Sequence, residues 1–121
     1  MTDEADTLTS PASREMEARA DEAARFLKLL AHEGRLMLLC YLADGEKTVG
    51  TLERLLGARQ PVVSQQLARL RVEGLVRGRR DGKTIHYSIT DQRVARMIAT
   101  LYEMFCSDDS APPQAAGGTG M

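Results

Sequence analysis

Apolar positions recur at helical spacing along most of the chain, and the breaks in that spacing mark off five helices and one pair of strands. Behind Ser13, a candidate N-cap, Ala20, Ala23, Ala24, Leu27 and Leu30 form one stripe of a first helix. A second helix begins near His32 and Glu33 and runs through Arg35 to Ala43. It is apolar on nearly every side, which makes it the buried centre of the fold, and it stops at Asp44-Gly45, a pair suited to a helix C-terminus. Thr48 then reads as the N-cap of a short helix from Val49 to Leu56, with Leu52, Leu55 and Leu56 facing inward and Gly57 ending it in a left-handed conformation. After the turn Gly57-Ala58-Arg59, Pro61 sits where a first helical turn accepts proline, and Val63, Leu67 and Leu70 give a fourth helix its inner face.

Past Gly74 the period changes. Leu75 to Arg80 and Lys83 to Ile89 read as two strands about an Asp81-Gly82 turn, and Ile85, Tyr87 and Ile89 alternate with Thr84, His86 and Ser88 to give one buried and one exposed face. Asp91 can cap a last helix that carries two apolar stripes. One holds Val94, Ile98, Leu101 and Phe105, the other Ala95, Ala99, Tyr102 and Cys106, and two stripes need two partners. Residues 1–13 and 107–121 are small, polar and rich in Ser, Thr, Gly or Pro, so they are expected to be disordered tails around one folded domain over 14–106.

A chain of 121 residues can bury one ordinary core. The longest apolar run, Leu36 to Ala43, is eight residues, too short to span a membrane, and the acidic start with Asp3, Glu4 and Asp6 does not suit a secretory signal, so a cytoplasmic protein is expected. Two cysteines, Cys40 and Cys106, are too few for a disulfide framework. The net charge of −1 hides an uneven distribution: residues 59–87 hold seven bases against two acids, while residues 1–33 hold eight acids against four bases. A basic island in an acidic chain suits phosphate neutralisation, although charge alone fits a solvated basic face equally well.

Position resolves that ambiguity. Two short helices joined by a three-residue turn, the second followed by a basic hairpin, match a helix-turn-helix with a wing: a mainly α fold with a small β-hairpin. The fourth helix would enter the major groove by its N-terminal part, where Gln60, Ser64 and Gln65 can read base edges, with Arg69 and Arg71 further along for phosphates. In the wing, Arg77, Arg79, Arg80 and Lys83 would reach the backbone or an adjacent minor groove. Arg35 and Arg54 read as surface or ion-pairing residues. No Gly-rich phosphate loop, paired acid cluster or Ser/His/Asp set is present, which argues against an enzyme and against a resident cofactor.

The strings LAHEGRLMLLCYL, from Leu30 to Leu42, and QPVVSQQLARLRVEGLVRGRRDGKTIHYSI, from Gln60 to Ile89, resemble the arsenic-repressor (ArsR) family of small winged-helix regulators. The resemblance covers about residues 20–106. It implies a homodimer paired through the first and last helices, with recognition helices about 34–36 Å apart on double-stranded operator DNA, and release by an inducer. The family's metal motifs are missing. Thr48 to Glu53 lacks the Cys-x-Cys of the thiolate site, Asp91-Gln92-Arg93 lacks the Asp-x-His of the other, and no histidine follows His86. His32 and His86 read as structural residues, and no metal site is expected.

Cys40 and Cys106 remain as the sensor. Buried cysteines are often merely small hydrophobes, but these two lie in the C-terminal halves of helices that the family packs together. That placement resembles the sulfide-responsive, dithiol persulfide-sensing branch, which implies linkage of the two thiols by persulfides or polysulfides, loss of DNA affinity and expression of sulfide-metabolism genes. A metal-responsive regulator, a general peroxide or disulfide sensor and a winged-helix protein with inert cysteines are the alternatives. Cys106 lies at a helix C-terminus beside Glu103, Asp108 and Asp109, and Cys40 lies among Leu36, Met37 and Leu39. Each setting is expected to raise the thiol pKa and slow oxidation by peroxide, unless a cation such as Arg35 approaches. The two reduced thiols are further expected to sit slightly too far apart for an unstrained disulfide.

Overall fold

A computed structural model describes residues 8–106. The elements are α1 (Pro11–Leu30), α2 (Glu33–Ala43), β1 (Lys47–Thr48), α3 (Val49–Leu56), α4 (Gln60–Val72), β2 (Val76–Asp81), β3 (Thr84–Ile89) and α5 (Gln92–Phe105). The three strands form one antiparallel sheet in the order β1-β3-β2. The expected tail 107–121 and the first seven residues of the expected tail 1–13 lie outside the described residues.

Most helix ends follow from the local chemistry. Thr48 caps α3 by accepting from the amide of Thr51 at 3.2 Å, Gly57 closes it at φ 64°, and Asp91 caps α5 by accepting from the amide of Arg93 at 2.9 Å. His32 caps α2 through its ring nitrogen Nδ1, which accepts from the Arg35 amide. The first helix starts earlier than its pattern suggests: the cap is Ser10, which accepts from the Ser13 amide at 3.1 Å, with Pro11 in the first turn where its missing N–H costs nothing. Arg35 makes no ion pair among the described residues, yet it is not free. Its Nε and Nη2 donate to the carbonyls of Leu29 and Lys28, and so satisfy the C-terminal end of α1.

The core gathers Leu38, Leu39 and Leu42 of α2 with Leu52, Val63, Leu67, Leu70, Leu75, Val76 and Val94, and the last turn of α1 adds Leu29 and Leu30. This places α2 at the centre, as its all-round apolar character requires. Four apolar positions expected on inner stripes are exposed. Leu55 of α3 is 42% exposed, and on α1 Leu27 is 51% exposed with Ala20 and Ala24 also exposed, because α1 packs on the rest of the chain chiefly through its C-terminal turn. At the start of α5, Arg93 ties that helix back to α1: it bonds Asp91 at 2.7 Å and Glu22 at 3.3 Å and stacks on the Phe26 ring at 4.9 Å.

The hairpin differs by one residue from its pattern. Asp81 still pairs with Thr84, so the turn is Gly82-Lys83, with Gly82 at φ 67°. The strand β1, too short to show any alternation, adds to the far edge of β3 through Lys47 opposite Tyr87 and Thr48 opposite His86. With neighbours on both edges, Ile85 to Ile89 are all half-buried, and the expected contrast between two faces is muted. No described helix is long and apolar enough to cross a membrane.

Candidate nucleic-acid interface and cysteine pair

The inner face of α4 is fixed by Val63, Leu67 and Leu70, and the 3.6-residue period then turns Gln60, Ser64, Gln65, Arg69 and Arg71 out to solvent, all exposed. Gln66 behaves differently. It is half-buried, and its amide lies so close to α2 that a Cβ at Gly34 would come within 3.0 Å of it. Arg69 is partly engaged by Glu73 at 3.7 Å. Arg59, absent from the residues expected to contact DNA, sits exposed at the N-cap of α4, and the signal for it was its place at the head of the basic stretch.

In the sheet, register sorts the wing cations. Arg77 stands opposite Ser88 and Arg79 opposite His86, whereas Arg80 pairs with Ile85 on the alternate face. Tyr87 and Ile89 pack on the core, so Arg77 and Arg79 project from the outer face. Arg79 meets Glu46 in a two-pronged ion pair: Nη2 donates to Oε1 at 2.8 Å and Nε to Oε2 at 3.2 Å. That hydrogen bonding, reinforced by the charges of Arg79, His86 and Arg77, holds the Glu46 carboxyl below its ordinary range. Arg59, Arg71, Arg77, Arg80 and Lys83 make no ion pair among the described residues. Exposed, unpaired guanidinium and ammonium groups on one helix and its following hairpin are suited to phosphate oxygens.

The two cysteines are free thiols, Cys40 half-buried in α2 and Cys106 exposed at the end of α5, on helices that pack against each other. Burial pushes the Cys40 thiol up, and the neighbouring Asp44 carboxylate and Cys106 push it further. The expected rise at Cys40 is therefore present, with Asp44 as a cause that the flanking leucines did not announce. Arg35, the cation that could have offset this rise, is instead committed to the α1 carbonyls. Asp108 and Asp109, expected beside Cys106, lie outside the described residues. Among the described residues no group of three or more His, Cys, Asp or Glu side chains gathers in a way that could hold a metal ion.

Comparison with known proteins places this arrangement. Residues 32–77 match the family described as bacterial regulatory protein, arsR family. The chain is 51% identical over 94 residues to the biofilm growth-associated repressor of Agrobacterium fabrum, covering 78% of this chain and 80% of that one. The crystal structure of the transcriptional repressor BigR from Xylella fastidiosa superposes with a TM-score of 0.75 at 46% identity, over 79% of this chain and 98% of that one. A homodimeric winged helix-turn-helix DNA-binding domain from Mycobacterium bovis aligns with a TM-score of 0.64 at 33% identity, over 79% of this chain and 86% of that one. The chain belongs to the arsR family of bacterial regulatory proteins, and its fold is the winged helix-turn-helix.

Proposed function

We propose that this protein is a transcriptional repressor that binds operator DNA as a homodimer and lets go when reactive sulfur species link Cys40 to Cys106. The observation that carries the sensing half is the placement of two free thiols, Cys40 in α2 and Cys106 at the C-terminal end of α5, on helices that pack against each other. The DNA half is supported by the exposed row Gln60, Ser64, Gln65, Arg69 and Arg71 and by the wing cations Arg77, Arg79, Arg80 and Lys83. Repression is supported by the names of its relatives. Dimerisation through α1 and α5 is supported by apolar side chains left in solvent on both: Met16 and Leu27 on the first, Tyr102, Met104 and Phe105 on the second. Burying them against a two-fold copy sets the spacing of the two α4 helices.

The chemistry balances without a further oxidant. Cys106, the more accessible thiol, attacks the sulfane sulfur of glutathione persulfide and displaces glutathione, leaving a persulfide on Cys106. The Cys40 thiol then attacks the inner sulfur of that group. A Cys40–Cys106 disulfide forms, hydrogen sulfide departs, and the sulfane sulfur has taken the two electrons that the thiols gave up. If both thiols carry persulfide first, the same displacement leaves a trisulfide, which relaxes the Cα separation of about 7 Å that limits a plain disulfide. A link that prefers one spacing of α2 and α5 shifts the dimer geometry, and a coupling of about 2 to 3 kcal/mol releases most operators.

Intact-mass and peptide mass spectrometry after treatment with glutathione persulfide test the chemistry. A Cys40–Cys106 peptide joined by two or more sulfurs is expected; modification of each cysteine singly, with no joined peptide, contradicts it.

A further inference from the structure

We propose that Glu46 is a positioning residue for DNA binding: it holds Arg79 as a fixed fork on the outer face of the sheet, so that Arg79 meets DNA as half of a neutral pair. The phosphate-neutralising charge of the wing then comes from Arg77, Arg80 and Lys83. This rests on the DNA-binding reading above and narrows it.

The geometry separates this pair from an ordinary surface ion pair. Both prongs of the guanidinium edge are engaged, at 2.8 and 3.2 Å, between residues 33 positions apart in the chain. Both backbones are held by the same central strand. Glu46 immediately precedes Lys47, which β3 pairs through Tyr87, and Arg79 is paired on the other edge of β3 through His86. Two side chains anchored across one strand lose less freedom on meeting than two long chains on a loop, so the entropy that cancels most exposed pairs is small here. The Glu46 carboxyl, held low by Arg79 and by the neighbouring positive groups, stays ionised wherever the protein would bind DNA.

A guanidinium has five N–H donors and the pair occupies two, which leaves three to reach a phosphate oxygen or a base edge from a set direction. Such an interaction adds orientation. It displaces no counterion, because the pair carries no net charge, and so it adds nothing to the salt dependence of binding. The carboxylate also keeps a phosphate from approaching the wing along its own side, which favours one orientation of the hairpin on the duplex. Arg77 and Lys83, with no such partner, keep their full effect.

The experiment is the slope of log affinity against log salt, read by fluorescence anisotropy on operator DNA with the full chain, for the wild type, R77Q, R79Q, E46Q and the double variant E46Q/R79Q. R77Q should flatten the slope by about 0.9 for each phosphate that Arg77 neutralises. R79Q, which leaves the Glu46 carboxylate bare on the wing, should weaken binding and flatten the slope. E46Q should steepen it, because a released Arg79 takes a phosphate of its own. The double variant, which keeps two amide side chains of similar size and no charge, should retain the wild-type slope while binding more weakly at every salt concentration, and it covers the case in which a single variant does not fold. Flattening by the double variant, or an unchanged slope in E46Q, overturns the proposal. A wild type without salt-dependent DNA binding removes the DNA reading itself, and that failure is separate.

Discussion

The carboxylate of Asp44, at the C-terminal end of α2, acts on the thiol of Cys40 one turn back and helps to keep it protonated, second in effect to burial and ahead of Cys106. Three influences push one way, and no cation opposes them among the groups that act on this thiol. Cys40 is therefore a slow nucleophile that reacts well only with a partner already delivered beside it. In Asp44→Asn, the Cys40 thiol should titrate at lower pH by thiolate absorbance and alkylate faster with iodoacetamide at a fixed pH near 8. An unchanged rate would show that Asp44 does not govern the thiol.

At the start of α5, Asp91 does two jobs, as helix cap and as partner of Arg93. The Arg93 hydrogen bond holds the Asp91 carboxyl below its ordinary range. A depressed folded-state pKa means that stability from this group is complete above the unfolded value of about 3.9 and is lost as pH falls through the folded value. Asp91→Ala should cost about 1 kcal/mol through the cap. Asp91→Asn, which still caps, should lower Tm near neutral pH by an amount that vanishes in acid; a deficit independent of pH would argue that the charge is not what matters.

Gly78 faces Tyr87 across the β2–β3 ladder, and a Cβ there would lie 2.9 Å from Cγ2 of Ile85 and 3.1 Å from Cε1 of Tyr87. Both are branched or ring atoms close to the sheet, with little freedom to yield. Gly78→Ala should therefore destabilise the wing by about 1 to 3 kcal/mol, the cost typical of overpacking, as measured by urea denaturation. A neutral result would mean that the hairpin lifts at no cost.

Much of the fold is legible in the sequence, and the rest has physical reasons for being hidden. The ends of α3 and the start of α5 lie in Thr48, Gly57 and Asp91, residues whose local chemistry decides their conformation alone. The N-cap at Ser10 was missed, because Ser13 offers the same hydroxyl three residues later; Pro11 in the first turn is the signal that marks it. The ion pair of Glu46 with Arg79 was not legible, because it joins residues that only the three-stranded sheet brings together, through a strand of two residues with no pattern of its own. The exposure of Leu27 and Phe105 was hidden for a different reason, whereas Tyr102 lies on the second stripe of α5, which already called for another partner. An apolar stripe signals burial without saying whether the covering surface belongs to the same chain.

The most direct test of the central claim is fluorescence anisotropy of operator binding for the wild type, Cys40→Ser and Cys106→Ser, before and after glutathione persulfide, with glutathione disulfide and hydrogen peroxide as comparisons. The account predicts tight binding by all three reduced proteins, with only the wild type released, and by persulfide far faster than by peroxide. Release of the serine variants to the same extent as the wild type would contradict it.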